Sequence, residues 1–465
     1  MKMKKGVIKT VDFLFIYEVR NREIDSICLL GAYLESKGYS IQYVNSWDSL
    51  YHWHEQYRAK VLVLSAAYDD GTYDYFTSHA AAFKKAVNLQ WEQVLANNIV
   101  FSTGKNSWDF SGIGLKTRHI CWGQENRRYL HDRYGVDYSC LKVCGYIPLD
   151  FYRDEFRKTE IGRDRLFKKY DLDPKKKTIL FISSFTSVGL PESELAIGTD
   201  EKKKAENRLQ SESQMIILNW MEKFLEKCPQ YQVVYRPHPA EADNPLIIEK
   251  AGKLKGLHFV SQDSVRAWIM NCDILCNWVS TAMIELYMSG KKTLLLRPVT
   301  VPFMFEMPIF KEGRFQAITT YEEFEQAILA DQKDYPFPVE KDDLFNFYDV
   351  SDTPVYQRIG DYLIRTLNDR NYRSPDRNKR LSNTTKKYRI LKMQAVTVAA
   401  EILYAIMNKL TRSGIKMGKL GDWIENRYVH YSYYKQKMLQ NRISGIELRK
   451  KINKYKKVIN KNESV

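Results

Sequence analysis

Short apolar runs alternate with helix-spaced segments along residues 1–345, a rhythm that predicts βαβ units and parallel strands. In the first set the expected strands are Asp12–Tyr17, Ser40–Val44, Lys60–Ser65, Asn98–Ser102, Arg118–Trp122 and Leu141–Cys144. Between them, Ile24–Lys37 and Tyr75–Val94 carry helical spacing, and Gly38 stands where a helix ends in a left-handed residue. Past Asp150 the pattern turns charged and irregular, with Asp173-Pro174 as a turn signal, before alternation restarts. The second set of strands is Thr178–Ser183, Gln232–Arg236, Leu257–Val260, Ile274–Asn277 and Thr293–Arg297. Helices are expected near Lys203–Lys227, Asn244–Lys253, Val265–Met270 and Thr281–Ser289.

The expected class is therefore α/β: two Rossmann-like domains facing a cleft, with ligands at the carboxyl ends of both sheets. The domains read as 1–158 and 177–345, with a linker at 159–176 and a returning helix within 346–369. Residues 370–465 form a basic helical tail in which 370–387 looks like a linker and Met393–Met407 like a short apolar helix.

Charge sharpens that division. The chain carries a net +16, yet residues 370–465 hold 24 Lys and Arg against 6 Asp and Glu, leaving residues 1–369 close to neutral. A neutral body with a basic, aromatic-rich tail fits an anionic membrane surface, and no recognised nucleic-acid motif accompanies it. The apolar run at the start meets Glu18 and Arg20 too early for a secretory signal, and no stretch is long enough to span a bilayer. Seven cysteines without a CxxC pair read as reduced, buried thiols, which places the chain in the cytoplasm at the inner face of the membrane.

The most informative stretch is Tyr231–Pro239, a strand ending in Arg-Pro-His-Pro. Its prolines fix the backbone and hold Arg236 and His238 at the strand's carboxyl end, where both can donate charge-assisted hydrogen bonds to a phosphate. The competing reading is that they cap the sheet edge. A second constellation runs from Ile274 to Leu296: strand, polar turn with Ser280 and Thr281, helix with Glu285, Gly290, strand. Ser184, in the loop Ser183–Leu190, is a further phosphate candidate.

His238-Pro239, the Ser280-Thr281 pair, Glu285 and Gly290 to Lys292 together resemble the nucleotide-binding half of GT-B enzymes that build bacterial surface polysaccharides. Those families include the polysialyltransferases, the capsule Kdo transferases and the CDP-glycerol glycerophosphotransferases. The resemblance implies a nucleotide-sugar donor held by His238 and Ser280 or Thr281 in place of a metal, a lipid-linked or oligosaccharide acceptor, and no cofactor. For the catalytic base three carboxylates stand in loops after N-terminal strands: Glu125, Asp70 and Glu18, in that order of preference. Trp122-Gly123 is similar in placement to the Trp-His-Gly turn of the glycerophosphotransferases, with Gly123 where that family has histidine. Asp69-Asp70-Gly71 looks like the acidic-acidic-Gly motif of the polysialyltransferases. The implied function is glycosyl transfer to a surface polysaccharide. Phosphoalditol transfer, sugar-nucleotide 2-epimerisation and a non-catalytic assembly role are the alternatives.

Overall fold

The structure, a computed structural model, describes residues 8–50, 57–89, 110–186, 188, 201–238, 241, 245–307, 309–310, 314–374, 383–413 and 418–462. Strands β1 (Lys9–Tyr17), β2 (Ile41–Asn45), β3 (Tyr57–Leu64), β4 (Ala82–Asn88), β5 (Arg118–Cys121) and β6 (Leu141–Val143) form a parallel sheet in the order β2-β1-β3-β4-β5-β6. Phe13 to Tyr17 are all buried, as strands covered on both faces require. Helices α1 (Arg20–Ser36), α2 (Asp70–Thr77) and α3 (Gln124–Tyr134) follow β1, β3 and β5.

One expected element is overturned. The helix expected from Tyr75 to Val94 is, over its described part, the end of α2 and then β4, which pairs in parallel with β3. Ala82-Phe83-Lys84-Lys85 has helix-friendly residues and spacing, but Lys85 is 5% exposed and its ammonium donates to the carbonyls of Thr366, Leu367 and Asp369. Tertiary partners thus satisfy a charge that local propensity alone would have sent to solvent. The expected strand Asn98–Ser102 lies outside the described residues.

After two short helices, α4 (Asp154–Arg157) and α5 (Arg163–Lys169), a second parallel sheet forms from β7 (Lys177–Ile182), β8 (Tyr231–Arg236), β9 (Leu257–Phe259), β10 (Ile274–Asn277) and β11 (Thr293–Leu295), ordered β11-β10-β7-β8-β9. Its helices are α6 (Glu201–Lys227), α7 (Pro245–Lys253), α8 (Val265–Asn271), α9 (Met283–Ser289), α10 (Tyr321–Leu329) and α11 (Lys341–Phe347). Helix α12 (Val355–Asn368) then returns to the first sheet, where Asp150 accepts the amides of Val355 and Tyr356 at its start.

The basic segment is helical but not detached. Tyr372, inside the stretch read as a linker, donates to the carbonyl of Ala86 and stacks under Arg118, so 369–374 lies along the first sheet. Helices α13 (Asn383–Arg412) and α14 (Gly418–Asn441) pack on each other as a hairpin. The last helix, α15 (Gly445–Asn462), docks on α1 and contributes Ile452, Tyr455 and Ile459, each 0–1% exposed, to the core that holds Phe13 and Phe15.

Candidate active site

Strand register brings the phosphate-binding candidates together. Ile182 of β7 lies between Arg236 of β8 and Asn277 of β10, so the three strands finish level at the carboxyl edge. The loops leaving that edge carry Ser183-Ser184, Pro237-His238 and Val279-Ser280 within about 10 Å of one another, two strand spacings. The Val279 amide donates to Ser184 Oγ at 3.3 Å, closing two of these loops on each other. Ser280 is buried and its Oγ accepts from the Ala282 amide, whereas Thr281 is exposed. Burial pushes the His238 imidazole down to about 4, so it is neutral at pH 7.

The structure also separates roles that the motif had merged. The Arg236 guanidinium donates to the backbone carbonyls of Val260, Gln262 and Asp263, which makes it the clamp of the loop after β9. Glu285 accepts a 3.1 Å hydrogen bond from Tyr152 and is 7% exposed, locking α9 to the chain that crosses from the first sheet.

Two groups were missed. Glu241, 1% exposed, accepts from Ser183 Oγ, Tyr235 OH, Gln214 Nε2 and the His238 amide, and so fixes the Ser183 and His238 loops to each other. Its signal was an acid two residues past His-Pro. Arg297, 6% exposed, donates to Glu306 at 2.8 Å while its Nε and Nη1 have no hydrogen-bond partner, as is also true of the Trp278 indole nitrogen and the Asn277 amide. Like Arg236, it follows an apolar run and stands immediately before proline.

On the opposite sheet the three carboxylates fall in different settings. Glu125, in the first turn of α3, is ion-paired to Arg128. Asp70 accepts the Ile113 amide at 2.9 Å, beside a capping box in which Asp69 and Thr72 start α2. Glu18 follows β1 directly, with Arg22 at 3.8 Å, next to the fully buried Glu23 that accepts from Ser65 and the Glu18 and Val19 amides. The same stretch reaches the other half of the molecule: Asp25 of α1 pairs with Arg266 of α8 at 3.1 Å. Glu18 and Glu125 both stand beside an observed contact between the halves: Asp25 lies in the helix that Glu18 precedes, and next to Glu125 the Asn126 side-chain amide donates to the Phe347 carbonyl of α11.

Gly123 is explained by packing. A Cβ there would meet the Asn346 carbonyl oxygen and the Phe347 carbonyl carbon at 2.4 Å, because α11 lies against the start of α3. Trp122 stacks on Tyr348 across this seam. No imidazole fits at 123. Among the described residues no cluster of three or more His, Cys, Asp or Glu is gathered to hold a metal ion, and no helix is long and apolar enough to cross a membrane.

No protein-family model matches the sequence, and no curated protein matches it. Solved structures do match. Two variant forms of the wall teichoic acid polymerase TagF superpose with a TM-score of 0.52 at 13% and 14% identity, each covering 78% of this chain and 90% of its own. The S. aureus MnaA-UDP co-structure gives a TM-score of 0.49 at 14% identity over 77% of this chain and 97% of its own. The fold is the GT-B arrangement of two α/β halves, with a helical C-terminal region added.

Proposed function

We propose that this chain is a GT-B transferase that uses a nucleotide-activated sugar to extend a bacterial surface polysaccharide. The observation that carries the proposal is the level ending of β8, β7 and β10, which sets His238, Ser184 and Ser280 side by side at the carboxyl edge of one sheet. A diphosphate spans such a row, and hydroxyl, amide and imidazole donors there stabilise the negative charge left on a departing nucleotide. An acceptor hydroxyl approaching from the first sheet needs a base, and Glu125 and Glu18 are the two carboxylates that stand beside contacts with the second half. Arg236 and Glu285 serve this site by holding its loops, with Glu241 fixing the His238 backbone.

Two further features support work at a membrane surface. Helix α13 exposes Leu391, Val398, Ile402 and Ile406, and α14 exposes Leu420 and Trp423, each at least half exposed. Residues 383–441 carry 11 Lys and Arg against 3 Asp and Glu. An apolar stripe flanked by cations suits the boundary of an anionic bilayer. TagF, alike in fold, keeps phosphoalditol transfer in view as a second reading, and the chemistry of the donor consumed separates the two.

The deciding experiment is a thermal-shift screen of the full chain against CMP, CDP, UDP and GDP, since a ligand of the folded state raises its apparent stability. One nucleotide is expected to shift the melt selectively, and His238→Ala to weaken its binding about 10- to 100-fold, the worth of one charge-assisted hydrogen bond. No shift with any nucleotide would turn the reading toward an assembly protein. Unchanged affinity in the variant would remove His238 from the site.

A further inference from the structure

The outward face of α15 borders an open groove of about 980 Å³ lined by Arg449, Lys450, Lys451, Lys454 and Lys457, with Glu447 the acid among its lining residues. The cations divide into two groups. Arg449 pairs with Glu35 and Lys451 with Asp25, fastening the helix to α1. Lys450, Lys454 and Lys457 have no ion pair among the described residues, and their spacing of four and three places them on one helical face. Lys454 is half-buried, and burial lowers its ammonium against the pull of Glu160 and Asp25. Desolvation of that ammonium outweighs the pull of the two acids, and an anionic ligand beside it offsets the difference.

The groove lies at the junction of the halves. Asp25 receives Lys451 from α15 and Arg266 from α8, and Arg266 also pairs with Glu160, so one charge chain ties α15, α1 and the second half together. Where α14 gives way to α15 the chain closes over the carboxyl edge of the first sheet: Arg20 pairs with Glu447, and the Asn441 carbonyl accepts from Tyr17 and Asn45 at the ends of β1 and β2. The same edge carries Glu18, directly after β1.

We infer that Lys450, Lys454 and Lys457 form a binding site for an anionic acceptor, a chain bearing phosphate or carboxylate groups, and that this site feeds the acceptor side of the cleft. The inference rests on the transferase reading for its purpose but not for its existence. The outward face of α15 is cationic, with Ile446 its exposed large apolar residue, and suits a polyanion, whereas the apolar-tipped α13–α14 hairpin suits a bilayer. The cations of the tail therefore have two destinations, lipid for the hairpin and polyanion for α15.

The test uses the full chain, short-chain sodium polyphosphate as an anionic probe and a dextran oligosaccharide as a neutral one. Binding is followed by calorimetry at low and high salt. Wild type is expected to bind polyphosphate with an affinity that falls as salt rises, and to ignore dextran. The triple variant Lys450→Gln, Lys454→Gln, Lys457→Gln should bind about tenfold or more weakly with an unchanged melt. A control in which Lys392, Lys409 and Lys419 of the hairpin become Gln should bind polyphosphate as wild type does and lose binding to phosphatidylglycerol vesicles. Equal polyphosphate affinity in wild type and the α15 variant overturns the site, and so does an equal loss in both variants. Loss of vesicle binding on changing α15 would hand these lysines to the membrane instead. A nucleotide melt shift measured on the same samples separates the two proposals: a shift without polyphosphate binding sinks the groove alone, and polyphosphate binding without a shift leaves the groove standing while the transferase reading falls.

Discussion

At the scale of single residues, the candidate donor site depends on groups that are buried yet polar. His238 has its imidazole lowered to about 4 from the ordinary 6.5, with burial as the cause. The folded protein therefore binds fewer protons than the unfolded chain between those values, and stability rises with pH across that window. The contribution is complete above 6.5 and is lost as pH falls toward 4. Urea unfolding of wild type and His238→Gln across this range should show the wild-type midpoint falling more steeply on acidification, by up to one proton. Parallel slopes would mean that the imidazole takes up its proton inside the folded protein. Glu241 supports the same loop through the opposite device, a carboxylate whose four donors come from three different parts of the chain. Only the first half of this arrangement was legible in the sequence. Arg-Pro-His-Pro at a strand end announces itself by position, whereas the Glu241 network needs Ser183, Gln214 and Tyr235 assembled before it exists. Arg236 shows the limit of position as a guide. It stands where a phosphate ligand would, but three backbone carbonyls of the next loop occupy it.

At the scale of elements, most strands were readable, mixed runs such as Arg118–Cys121 and Leu141–Val143 included, and β4 was the exception. β1, β7 and β8 follow directly from their buried residues, while β4 hid behind Lys84 and Lys85 because the carbonyl cage for Lys85 is supplied by residues nearly 300 positions further on. The seam between α3 and α11 is another product of assembly. Adding a methyl group at 123 forces two backbones apart, so Gly123→Ala should lower the unfolding free energy by about 1–3 kcal/mol, with histidine worse. Equilibrium urea unfolding measures this, and an unchanged midpoint would show that the seam yields. The result bears on chemistry as well, since it decides whether the Trp-Gly turn has any room for an imidazole base. The apolar spacing of Ile452, Tyr455 and Ile459 was the one available sign that α15 docks, and the surrounding lysines masked it.

At the scale of the whole molecule, the charge asymmetry read from composition is real, but its boundary is not a structural one. The basic segment divides into a hairpin with an exposed apolar stripe and a helix that belongs to the core of the first half. Deleting residues 443–465 should therefore cost far more than a surface appendage would. Ile452, Tyr455 and Ile459 are each fully buried, and at roughly 1.5–3 kcal/mol apiece their loss is on the order of 5 kcal/mol or more, comparable with the entire stability of many domains. Calorimetry of the truncated chain is expected to show a first half without a cooperative melt while the second half still unfolds near its wild-type temperature. A wild-type melt in both halves would show that α15 merely rests on the surface.

That docking also sets a timetable for the newborn chain. The Asn441 carbonyl that accepts from Tyr17 lies 424 residues beyond it in sequence. At ribosomal speeds of about 5–20 residues per second, roughly 20–85 s pass between the emergence of β1 and the arrival of the helix that covers it. Throughout that interval the part of the first core that Ile452, Tyr455 and Ile459 complete waits uncovered, so the nascent first half is a natural client for a chaperone that shields apolar surface until translation has delivered α15.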